Sequence, residues 1–155
     1  MRVRHSRLLA AVLLSIAFCG ALSQENRRWV ILPESEVKSI RSFCSRSAPS
    51  DIEGSWTPTT KDIEALESHL SNLSKPDSAQ KRFSIEHPER FYRQYLGILI
   101  KGRKLIYLNA FSGPYLPKSW LAKMVIVCDG GVDSWGVVYD LGIEEFSDLH
   151  VNGFA

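Results

Sequence analysis

Residues 91–111 read FYRQYLGILIKGRKLIYLNAF, and this stretch decides the fold class. Two runs of aromatic and branched aliphatic side chains, 91–100 and 104–111, flank Lys101-Gly102-Arg103, whose glycine suits a tight reversal. Such a pattern predicts an antiparallel hairpin. Beyond it, Ser112 to Ser119 holds Gly113-Pro114 and Pro117 and reads as a loop. Leu121 to Cys128 predicts a third strand, Asp129-Gly130-Gly131 a turn, and Ser134 to Leu141 a fourth strand. Alternation places Ala122, Met124, Ile126 and Cys128 on one face of the third strand, and Trp135, Val137, Tyr139 and Leu141 on one face of the fourth.

Upstream, Ile63, Leu66, Leu70 and Leu73 recur at helical spacing, with Lys61, Glu64, Glu67 and Ser68 off the stripe. Thr59 with Asp62, or Thr57 before Pro58, supplies the N-terminal cap, and Pro76 stops the helix. His69 lies beside the stripe and reads as a partly exposed helical residue rather than a base. Val37, Ile40 and Cys44 predict a short helix after the apolar run Trp29 to Leu32. Cys44 to Thr60 reads as a loop, with Trp56 packing over the following helix start. The sum is an α+β domain, one helix packed on a four-stranded antiparallel meander.

The N-terminus points to export. Arg2, Arg4 and Arg7 precede an apolar stretch from Leu8 to Phe18, and Ala21 and Ser23 are small at the positions a signal peptidase reads. A signal peptide over residues 1–23, cleaved after Ser23, is the expectation. Its apolar run falls short of the ~20 residues a membrane span needs, so no stable membrane insertion is expected after cleavage. Phe18 is too large for a lipoprotein signal and weighs against an anchor on Cys19. Removing the signal leaves sixteen Lys and Arg against seventeen Asp and Glu in 132 residues, a net charge of −1. That balance weakens the case for nucleic acid as a partner. From Leu105 onward the only bases are Lys118 and Lys123, against six acids. Cys44 and Cys128 remain for an oxidising compartment and predict a disulfide.

Little in the sequence carries catalytic chemistry. Phosphate-loop, dinucleotide, Gly-x-Ser-x-Gly and His-Glu-x-x-His signatures are absent, as is Cys-x-x-Cys. The cysteines with His69, His87 and His150 read as structural thiols and scattered histidines rather than a nucleophile and its base. Asp129-Gly-Gly-Val-Asp133 has too few oxygen ligands for a calcium loop. Glu144, Glu145 and Asp148 read as solvated acids. No catalytic residue, metal site or cofactor is assigned. Tyr115 and Trp120 beside a proline-bounded loop, Trp135 after the glycine turn, and Asp129 and Asp133 are the candidate binding residues, aromatic anchors on loops being suited to a protein interface. Val151 to Ala155 is apolar for a tail and is expected to dock as an edge strand or offer an edge to a partner.

The strings Trp56-Thr-Pro-Thr, Asp62-Ile63 with Leu66-Glu67 and Leu70, Tyr92-Arg-Gln-Tyr95 with Gly97, Val127-Cys-Asp-Gly-Gly131, Trp135-Gly-Val with Tyr139-Asp140, and Asn152-Gly153 span most of the exported part. Together they resemble a group of small, functionally uncharacterised exported bacterial proteins of the periplasm. The helix-on-sheet order is similar to a cystatin-like arrangement, at the level of fold only. The resemblance implies a bacterial envelope protein and no catalytic residue. The functional expectation is a non-enzymatic periplasmic or secreted binding protein with a protein partner in the envelope, of an inhibitor or immunity type acting against a toxin or hydrolase. The alternative is a small envelope hydrolase whose site is built from scattered carboxylates, with Asp129, Asp133 or Glu144 near Arg93.

Overall fold

The computed structural model describes residues 28–75 and 84–154, which form an α+β domain with six strands in one open sheet. The expected signal peptide, Cys19 and the helix stop at Pro76 lie outside the described residues. The strands are β1 (Trp29–Ile31), β2 (Gly54–Trp56), β3 (Tyr92–Ile100), β4 (Arg103–Phe111), β5 (Ser134–Asp140) and β6 (Glu145–Val151). β3 and β4 pair from Tyr92 opposite Phe111 to Ile100 opposite Arg103. Lys101 and Gly102 both take left-handed backbone, at φ 51° and 70°, which matches the twist of the strands they join.

Sheet order is β1-β3-β4-β5-β6, with β2 also on β3. β1 runs parallel to residues 93–95 and β2 antiparallel to residues 97–99, so two short strands share one side of β3. Both come from stretches in which the sequence predicted no strand, the second from inside an expected loop. Three-residue strands carry too little periodicity to be seen, and here they exist because β3 presents an unfilled row of backbone groups.

α1 (Thr60–His69) continues as a 3-10 turn over Leu70–Ser74. The Thr59 side chain accepts the Asp62 amide while the Asp62 carboxylate accepts the Thr59 amide, closing the capping box. Ile63, Leu66, Leu70 and Leu73 are buried against Tyr95, Ile106, Leu108, Ala110, Trp135, Val137 and Tyr139. Each such aliphatic burial is worth roughly 1.5–3 kcal/mol. The face of Ser134–Asp140 that alternation picked out is therefore the one that meets the helix.

The segment Leu121 to Cys128 is not a strand, which corrects the expected meander. β5 pairs directly with β4 over 105–111 and 134–140, so no edge is left for an intervening strand. The antiparallel run is completed instead by β6, drawn from the acidic stretch that read as solvated tail. Val125 and Val127 are buried while Ile126 is exposed, with Met124 also buried. Residues 152–154 dock without strand structure. Glu34–Ser42 is a 3-10 helix that buries Ile40 and ends before Cys44, so it starts earlier than the residues that predicted it, is more tightly wound, and leaves Cys44 outside. Trp56 packs on Gly97 of β3 and donates from Nε1 to the carbonyls of Ile98 and Leu105, at 3.2 and 3.1 Å, so it is tied to the sheet.

Candidate functional site

Between β4 and β5 the chain makes a long excursion, residues 112–133, whose neck is pinned by the Ser112 amide donating to the Asp133 carbonyl at 2.9 Å. It lies over the sheet face opposite α1, where Phe111, Val125 and Val127 pack together with Tyr92, Tyr115 and Trp120 beside them. An excursion this long without strands or α-helix needs other partners for its backbone groups.

Side-chain amides supply them. Gln94 and Asn109 sit opposite each other on β3 and β4 and are fully buried. Gln94 Nε2 donates to the carbonyls of Trp120 and Lys123, and its Oε1 accepts the Val125 amide at 2.8 Å. Asn109 Nδ2 donates to Gln94 Oε1 and to the Val125 carbonyl, at 2.9 and 3.0 Å. Asn152 Nδ2 donates to the carbonyls of Val127 and Asp129. Glu36 accepts the Met124 amide at 3.0 Å and the Lys123 ammonium at 2.9 Å. Those contacts, the Met124 amide first, hold the Glu36 carboxyl below its ordinary pKa.

Arg46 locks this assembly. Its guanidinium lies 3.7 Å from the Phe43 ring centroid and donates to Asn109, Tyr107, Asn152 and Ser134. Among the described residues no carboxylate reaches it, and burial lowers its pKa, with Tyr107 partly opposing. Gly136, next to Asn109 across β4 and β5, leaves room for this: a Cβ there would strike the Tyr107 hydroxyl and press on the guanidinium. The Cys44–Cys128 disulfide, with Cα atoms 5.1 Å apart, ties the same loop to the excursion.

The outer surface of this construction is a concavity of about 920 Å³. Tyr115, Pro117, Ile126 and Val132 line it with Phe154 from the tail, and Asp129 and Asp133 are also in the lining. Gly130 and Gly131 adopt φ 111° and 54°, and the aromatics press on them: the Tyr115 hydroxyl would be 3.0 Å from a Cβ on Gly130, and the Phe154 ring would overlap one on Gly131. The tail is held by the Gly153 amide on the Ser45 carbonyl and the Gly131 amide on the Gly153 carbonyl, at 3.1 and 3.0 Å. Ile126, Val132 and Phe154 are 36, 48 and 75 % exposed. Leu116, between two lining residues, is 36 % exposed.

Of the five candidate binding residues, the structure brings Tyr115, Asp129 and Asp133 into this groove. Trp120 instead packs edge-on against Tyr92 at 5.3 Å. Trp135 is fully buried in the helix-side core, edge-on to Phe91, and away from any surface. Phe154 belongs to the apolar tail expected to dock or to offer an edge, whereas Ile126 and Val132 were not among the candidates, although a β-branched residue inside Gly-Gly-Val-Asp was a visible signal. Arg93 does not join Asp129, Asp133 or Glu144: it holds both Glu67 carboxylate oxygens, at 2.8 and 3.0 Å, and donates to the carbonyls of residues 88, 89 and 91. His69 is half-buried and its Nδ1 lies 2.7 Å from the Tyr139 hydroxyl. Among the described residues no group of three or more His, Cys, Asp or Glu is placed to hold a metal ion, and no helix is long and apolar enough to cross a membrane. No family model, curated protein or solved structure matches the chain.

Proposed function

We propose that the protein is an exported, non-enzymatic binding domain that docks a protein partner of the bacterial envelope in the groove of the β4–β5 excursion. One observation carries this: of the six exposed large hydrophobic residues among the described residues, Ile126, Val132 and Phe154 line one concavity, and a fourth, Leu116, adjoins it. Apolar side chains gathered on one surface are costly in water and mark interaction sites. Long excursions without secondary structure of their own are usually functional, and this one is held by a disulfide, a buried cation and three amide side chains. Pre-ordering of that kind lowers the entropy lost on binding. The disulfide is compatible with the oxidising compartment that an exported chain enters.

Within that class, an inhibitor or immunity-type protein that neutralises an envelope toxin or hydrolase suits a surface pinned by a disulfide and a buried polar network. A hydrolase built on scattered carboxylates is less well supported, because Arg93 is committed to Glu67 on the helix side. Affinity capture from periplasmic and secreted fractions tests the proposal, with the wild-type chain and Val132→Asp compared. Supporting it would be one stoichiometric partner whose hydrolytic or toxic activity the protein suppresses, and which Val132→Asp fails to hold. Turnover of a peptidoglycan, glycan or ester substrate by the purified chain, abolished in Asp129→Asn or Asp133→Asn, would overturn it.

A further inference from the structure

We infer that the groove selects an extended partner segment in which a lysine or arginine stands between apolar side chains; this rests on the groove being the docking site. The charge pattern argues for it. Asp129 and Asp133 are exposed and stand on either side of Gly130-Gly131-Val132, and neither carboxylate has a hydrogen-bond or ion-pair partner among the described residues. Lys123, one of only two bases from Leu105 onward, is held by Glu36. The groove therefore combines apolar side chains with two unpaired carboxylates.

A lysine or arginine matches that layout within one side chain, its methylene stem covering apolar surface while its head stays wet and reaches a carboxylate. Ile126 and Val132 would lie under the stem and Asp129 or Asp133 beside the head. Two other occupants fit less well. A second copy docked through the same face about a two-fold axis would bring Asp129 and Asp133 against their own counterparts, a like-charge arrangement. A small ligand normally has 70–90 % of its surface buried by its pocket, whereas Val132 is about half exposed and Phe154 largely so here.

A two-dimensional NMR titration tests this with three peptides of equal length in which valine alternates with lysine, glutamine or glutamate. The lysine peptide should bind about tenfold tighter than the glutamine peptide, within the range for two exposed ion pairs, with shifts at Ile126, Val132 and Phe154. In the Asp129→Asn, Asp133→Asn double variant the lysine peptide should lose its preference over the glutamine peptide, both being measured on that variant. Thermal unfolding of that variant confirms that it is folded. Equal affinity for all three peptides, or a lysine preference that survives in the variant, overturns the selectivity and leaves the docking site standing. If none of the three binds, the groove is no docking site and both proposals fall.

Discussion

Two buried arginines, one on each side of the sheet, show how differently its faces are covered. Arg93, on the α1 side, is paired with Glu67 through two hydrogen bonds; burial disfavours its charge, but Glu67 and Tyr95 more than offset this and raise its pKa. Arg46, on the excursion side, has only neutral acceptors and the Phe43 ring, and burial lowers its pKa. Above Arg93 sits a helix that satisfies most of its own backbone and contributes an apolar stripe. Beneath the excursion lies a layer of amide side chains that must satisfy a backbone unable to satisfy itself. The first side is built by burial of area, and the second by a polar network in which each member has several partners. Such a network tolerates the loss of a member poorly, because each deletion strands groups in low dielectric.

The largest expected effect comes from opening the link between the Cys44 loop and the excursion. Replacing both cysteines with serine should cost about 4 kcal/mol in urea unfolding, by the chain-entropy model for a long loop. A loss under about 1 kcal/mol would mean that the network alone holds the excursion.

Next come single deletions on the two faces. Leu66→Ala should cost about 3 kcal/mol as a cavity beneath α1. Asn109→Ala should cost about 2–3 kcal/mol, since it removes an acceptor from a buried cation, takes the donor from the Val125 carbonyl and leaves Gln94 Oε1 with the Val125 amide alone. The pair separates the two modes of construction. Leu66→Ala and Asn109→Ala, on opposite faces, should add within about 0.5 kcal/mol, whereas Asn109→Ala with Arg46→Met should depart from additivity by more than that. Additivity in both pairs would break the distinction.

Smaller still is the helix cap. Thr59→Ala should cost about 1 kcal/mol and leave the groove's peptide affinity unchanged, as measured by the same titration. The smallest effect is in pH. Glu36 has its carboxyl pKa held below 4.5, chiefly by the Met124 amide and then by Lys123. Its contribution is therefore present above that ordinary value and lost as pH falls through the depressed one. Melting temperatures of wild type and Glu36→Gln should converge on acidification below about pH 4.5. A constant gap across that range would show that Glu36 acts only through packing.

Much of the helix side was legible from local pattern. Ile63, Leu66, Leu70 and Leu73 announce their stripe, Thr59 and Asp62 their cap, and residues 91–111 their hairpin, because each depends on neighbours a few residues away. The excursion was misread for the same reason. Met124 to Val127 has the composition of a strand, and nothing local says that β5 has taken its place beside β4. The one clue lay in Gln94 and Asn109, two amides set opposite each other within largely apolar strands. Their partners are 15 or more residues away in the chain, and Arg46 reaches acceptors 61 to 106 residues distant.

By itself, then, the sequence determined the elements whose stability is local: the capped helix, the central hairpin, and the face of Ser134–Asp140 that meets the helix. It also marked Cys44 and Cys128 as the pair to be joined. Only the tertiary structure decided that residues 112–133 fold over the sheet instead of entering it, that Trp135 is core, and that Tyr115, Ile126, Asp129, Val132, Asp133 and Phe154 share one surface. Periodicity records which side of an element is apolar, but buried amides and a guanidinium choose their acceptors in three dimensions, and those choices shaped the groove.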